Sequence, residues 1–156
     1  MSAPYCVRSD LPNYIAAAAL APIATAIQDQ ACIDASSTAD SYLRGRYGLP
    51  LSAWGQDLRR YTAHVAIYLL MTGRGFSPQG GADRQITERY YAAVGFPDRP
   101  GSGWFPGVQR QSIHPDVTPA QPLPGDPIHD VPQIATSAVR GWTTSPGGGT
   151  PRIGGF

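Results

Sequence analysis

Ser41-Tyr42-Leu43-Arg44-Gly45-Arg46-Tyr47-Gly48-Leu49-Pro50-Leu51 is the stretch on which the fold turns. Tyr42 and Leu43 continue an apolar stripe at three-to-four spacing that starts at Ile23 and runs through Ile27, Ala31, Ala35 and Ala39. Asp34, Ser37 and Asp40 fall off that stripe, as a solvated helix face requires. Pro50 then blocks helical continuation and favours an extended residue before it. The segment therefore reads as a helix terminator. Gly48 lets the chain leave the helix, Arg46 reaches the last carbonyls or a neighbour, and Leu49 and Leu51 tuck against a following helix.

Working outward, the helix after the turn spans about residues 53–72. Leu58, Tyr61, Val65, Tyr68, Leu69 and Thr72 share one face, Ala63, Ala66 and Leu70 widen it, and Gly73 stops it. Residues 66–71 are apolar almost all round, which places this helix centrally. Upstream, Ser9 or Asp10 offers an N-cap to a first helix over about residues 11–20, with Pro12 tolerated in its first turn. Pro22 opens the second helix. Downstream, a fourth spans about residues 83–94, with Ile86, Tyr90, Ala93 and Val94 inward, ended by Gly95, Pro97 and Pro100.

Composition divides the chain near residue 95. Residues 1–94 carry 12 glycines and prolines together and residues 95–156 carry 22, so the second part does not sustain long helices. It does carry isolated apolar anchors, among them Trp104, Phe105, Val139, Trp142, Ile153 and Phe156. Linkers lack such anchors, so an extended arm laid over a partner is expected. The division is a helical core, 1–94, and a C-terminal arm, 95–156. An alanine-rich core of four short helices is thin, so oligomerisation is expected.

The charge inventory excludes some functions. The net charge is +1, which recruits neither nucleic acid nor an anionic membrane globally. All 12 basic residues are arginine and Glu88 is the sole glutamate. A GC-rich genome explains this bias, and so does selection for the planar, multi-donor contacts arginine makes at interfaces. Cys6 and Cys32 have no metal-type spacing; they fit one disulfide or, in a reducing cytoplasm, two thiols. Residues 15–26 resemble a secretory leader, but Asp10, Pro12 and Pro22 interrupt it and its apolar content is mostly alanine, so a helix is expected. No run reaches the ~20 apolar residues of a membrane span.

Catalytic signatures are sparse. There is no GxGxxG, Walker or GxSxG motif. His114-Pro115-Asp116 and His129-Asp130 each place an imidazole by a carboxylate, yet on a Pro-rich segment without a scaffold. His64, mid-helix beside the apolar face, reads as a satisfied structural histidine. No catalytic residue, cofactor or metal is expected, and the protein is read as a non-enzyme.

The order Ala39, Tyr42-Leu43, Arg46-Tyr47, Leu49-Pro50-Leu51, followed by an apolar helix, resembles the Mu-like neck family of tailed phages. Leu58, Ala63, Ala66, Tyr68 and Leu69 fit the family's next helix. Glu88-Arg89-Tyr90 with Ala93, and Arg8-Ser9-Asp10-Leu11 at the start, add to the similarity, which covers roughly residues 5–94. Val139-Arg140-Gly141-Trp142 resembles a tail pattern of arginine followed by an aromatic. The resemblance implies a mainly α protein, a small four-helix bundle of the head–tail adaptor type with a long, extended, Gly/Pro-rich C-terminal arm. It also implies a homo-oligomeric ring, usually of about twelve subunits, under the portal protein in the virion neck, assembled in the host cytoplasm. Such a ring extends the channel for genomic DNA, without sequence-specific binding, and docks a stopper or tail-completion protein. The fourth helix departs from the family by stopping at Gly95-Phe96-Pro97. The contacts expected on this basis are Arg44, Arg46, Trp104, Phe105, Val139, Arg140, Trp142, Ile153 and Phe156. The alternative class is a small helical binding or DNA-binding regulatory module with a disordered tail.

Overall fold

The computed structural model describes residues 3–75 and 81–120. Its elements are a 3-10 helix (Arg8–Asn13), α1 (Ala17–Leu20), α2 (Thr25–Leu43), β1 (Leu51–Trp54), α3 (Gln56–Thr72), α4 (Gly81–Val94), α5 (Trp104–Gln109) and β2 (Val117–Pro119). The protein is mainly helical with one small sheet. Three of the expected long helices are present, while the first is broken into the 3-10 helix and the single turn of α1. Pro12 lies inside the 3-10 helix, and the Asp10 carboxylate accepts from the Val7 N–H at 2.9 Å rather than capping a longer helix.

α3 is central, packing on α2, on α4 and on the 3-10 helix. It buries Leu58, Thr62, Ala63, Val65, Ala66, Ile67, Leu70 and Met71, a wider set than one stripe, because it has neighbours on several sides. On α2 the buried face is rotated from the expected one. Ala31, Ala35, Ala39 and Leu43 are inside with Gln28, Cys32 and Ser36, whereas Ile27 is 57 % exposed. Gln28 holds this rotation, donating to the carbonyls of Leu20 and Ile23 at 3.1 and 2.8 Å. Those bonds tie α2 to the turn that precedes it, and the Leu20 carbonyl also accepts from the Ile23 N–H at 2.9 Å.

The terminator behaves largely as expected. α2 ends at Leu43, whose carbonyl accepts from the N–H groups of Arg46 and Tyr47 at 2.8 and 2.9 Å. The Leu49–Pro50 peptide is cis. The chain then runs extended as β1, which pairs antiparallel with β2, Trp54 opposite Val117 and Leu51 opposite Pro119. Leu51 is buried and Leu49 packs on the core.

The compact unit does not stop at residue 94; it continues through β2. Trp104, Phe105 and Val108 of α5 are buried, and α5 packs on α2 and α4. Composition misreads this segment because its Gly and Pro stand where a helix start accepts them. Gly103 is the N-cap, and Pro106 lies in the first turn, whose N–H groups have no intrahelical partners in any case. Gly95 and Gly103, at φ +106° and +99°, place two turns flat against each other, and a Cβ on either would collide with the opposing backbone.

Two outcomes follow for stability. Phe105→Ala lowers unfolding free energy by about 3–5 kcal/mol, since it empties a fully buried aromatic site; urea denaturation reads it as a lower midpoint at unchanged slope. Gly103→Ala lowers it by about 1–3 kcal/mol through backbone strain, measured the same way.

Candidate functional site

The residues expected to touch partners fall into three groups. Trp104 and Phe105 are interior, which corrects their assignment as partner contacts. Phe105 stacks on Tyr42 at 5.5 Å and Trp104 on Tyr61 at 4.9 Å, the two meeting edge-on at 5.2 Å. They are 0 % and 6 % exposed, so the surface they cover belongs to their own chain. Val139, Arg140, Trp142, Ile153 and Phe156 lie outside the described residues, as do His129 and Asp130. Arg44 and Arg46 sit in the turn that ends α2.

Arg44 is exposed and can meet a partner, while Arg46 is half-buried on Tyr47. Burial raises the Tyr47 hydroxyl above its ordinary pKa, and the charge and hydrogen bond of Arg46 pull it back only in part. The Arg46 Nε is buried without a hydrogen-bond partner.

Other arginines also serve the fold. Arg74 donates to the Ala19 carbonyl at 2.9 Å, Arg89 to the Tyr14 carbonyl and Arg110 to the Gly101 carbonyl. The first two span 55 and 75 residues of sequence and tie α3 and α4 to the N-terminal segment. A planar guanidinium with several donors suits this use better than an ammonium. By contrast, the ion pairs Arg8–Asp29, Arg60–Asp57, Arg84–Glu88 and Arg99–Asp98 are all well exposed and each adds under about 1 kcal/mol.

An open groove of about 890 Å³ lies between the start of α2 and the end of α3. Ile23, Ile27, Ala31, Leu69 and Leu70 line it, with Asp34 and Arg74 at its edge, and Ile27 and Leu69 remain 57 % and 39 % exposed. Periodicity had assigned both to the core; here they form apolar surface of the kind that protein partners cover.

His64 is half-buried between the edges of Tyr14 and Tyr61, at 5.1 and 5.9 Å. Its Nδ1 has no hydrogen-bond partner, so it is not the satisfied histidine expected. Burial, reinforced by Arg89 and Arg60, lowers its pKa from 6.5 to about 4. Among the described residues no group of three or more His, Cys, Asp and Glu is placed to hold a metal. His114 is exposed, and Asp116 uses its carbonyl to accept from the Gly55 N–H at 2.6 Å.

These features describe a small helical protein whose outstanding surfaces are an exposed arginine turn and an apolar groove. Residues 5–99 match the sequence profile of the family described as Bacteriophage Mu, Gp36, and the chain belongs to that family. It is 40 % identical over 65 residues to the Mu-like prophage FluMu protein gp36 of Haemophilus influenzae. That match covers 42 % of this chain and 45 % of the relative, so the chain spans less than half of that protein's length. No helix among the described residues is long and apolar enough to cross a membrane.

The histidine generates a pH dependence. The unfolded state binds the His64 proton near pH 6.5 and the folded state only near pH 4, so stability is full above about 6.5 and falls as pH drops toward 4. Discounted for the solvent that reaches the half-buried ring, the loss is about 1–2 kcal/mol. Thermal unfolding of the wild type and of His64→Gln across that window checks it: the wild-type midpoint falls more steeply, and the two run parallel above pH 7.

Proposed function

We propose that the protein is a head–tail adaptor of a tailed phage. Its copies close into a ring beneath the portal, extend the DNA channel and dock the stopper or tail-completion protein. The reading rests on one observation, the order of Ala39, Tyr42-Leu43, Arg46-Tyr47 and Leu49-Pro50-Leu51 in a chain of a Mu phage family. The apolar groove and the exposed Arg44 support protein contacts over small-molecule chemistry. The protein works without a catalytic step or cofactor, in the neck of the virion after assembly in the host cytoplasm.

Ring closure makes weak contacts sufficient, because linked subunits act together. A net charge of +1 suits a lumen through which DNA slides without being gripped. The segment beyond residue 120, with Val139, Arg140, Trp142, Ile153 and Phe156, fastens each subunit to portal or to a neighbour.

Native mass measurement of the purified chain, alone and with the portal of the same phage, tests the reading. A ring-sized species, free or formed on portal, is expected. A monomer that ignores portal overturns it and returns the protein to the class of small helical binding or DNA-binding regulators. Deleting residues 134–156 is expected to reduce incorporation into particles at least roughly tenfold, and Arg44→Glu to weaken portal or subunit association by a comparable factor; quantitative blotting of purified particles reads the first and sedimentation the second.

A further inference from the structure

Cys6 and Cys32 are the chain's only cysteines, 26 positions apart, and the fold brings them together in the core at 1 % and 2 % exposure. The contact is built by the residues around them. The Tyr5 N–H donates to Ser36 Oγ at 2.9 Å, and Ser36 Oγ donates to the Cys32 carbonyl at 2.7 Å. The Tyr5 hydroxyl donates to the Asp40 carboxylate, and Trp54 Nε1 donates to the Tyr5 carbonyl at 2.9 Å. Tyr5 is thereby pinned along α2, which brings the next residue, Cys6, to the turn of α2 that carries Cys32. The neighbouring Cys32 thiol and burial hold the Cys6 proton above the ordinary thiol range, while Cys6 in turn lowers Cys32. Both side chains are shielded from solvent in the closed fold, so exchange with a small disulfide requires the short segment before the 3-10 helix to lift off α2.

We propose that Cys6 and Cys32 are a reversible dithiol–disulfide pair that locks the N-terminal segment onto α2 when the surroundings become oxidising. The oxidant is a small disulfide such as oxidised glutathione. With the segment open, one cysteine thiolate attacks a glutathione sulfur, forming a mixed disulfide and releasing one glutathione thiolate. As the segment closes, the second cysteine gives its proton to water and attacks the protein-side sulfur, expelling the second glutathione. One protein dithiol is oxidised and one glutathione disulfide is reduced to two thiols. The link closes a covalent loop around the 3-10 helix and α1, the two least regular helical pieces of the fold, and constrains the unfolded chain.

The test uses the full reduced chain, equilibrated with oxidised glutathione, unfolded, alkylated with a maleimide and mapped by peptide mass. The expected result is loss of both free thiols, a Cys6–Cys32 linked peptide within one chain and no retained glutathione. The thermal midpoint of the oxidised chain is expected to rise by roughly 10 °C and to fall back with dithiothreitol. Thiols that stay alkylatable, stable glutathione adducts or links between chains overturn the proposal, and a linked chain with an unchanged midpoint overturns the lock. Cys6→Ser is expected to show no such rise; the wild-type map does not depend on that variant folding.

Discussion

The stack of Phe105 on Tyr42 is the contact on which the rest of the structure depends. α2 buries mostly alanines and other small residues, and such a helix face brings little apolar volume of its own to the core. Phe105 and Trp104 supply what is missing, and through Tyr61 and His64 the line of rings continues to Tyr14 in the N-terminal segment. A second stack, Tyr68 on Tyr90 at 3.8 Å, joins α3 to α4. Aromatic rings thus bridge helices that alanines alone would leave loosely joined.

Arginine does for the chain's irregular segments what aromatics do for the helices. The turns around Tyr14, Ala19 and Gly101 each expose a carbonyl, and an arginine from elsewhere satisfies it. Part of the all-arginine basic inventory is therefore used to tie the fold's own segments together from its surface. Arg44, at the end of α2, is the exposed one among the described residues of the expected contact set.

The central helices were legible because period and punctuation agree there. α3 and α4 carry apolar stripes, and Gly95, at positive φ, caps α4 where composition put its end. α2 was legible as a helix but not in its rotation. Alanine stripes point weakly, and a single glutamine that finds two carbonyls outweighs one isoleucine left in water. Of the described candidate contacts, Arg44 is exposed; Trp104 and Phe105 are buried, and they look the same in sequence whether they anchor on a partner or on their own core. The groove left no signal, because Ile27 and Leu69 each sit on a stripe that periodicity directs inward.

By itself the sequence determined the family, the helical class and the turn at Leu49-Pro50-Leu51, since these follow from local spacing and from what proline and glycine permit. Tertiary structure alone decided that residues 95–120 belong to the same compact unit, that β1 pairs with β2 across more than sixty residues, and that Cys6 and Cys32 are buried in one cluster. Those are contacts between distant segments. Their free energy comes from burial that exists only once α2, α3 and α4 have made a surface to bury against.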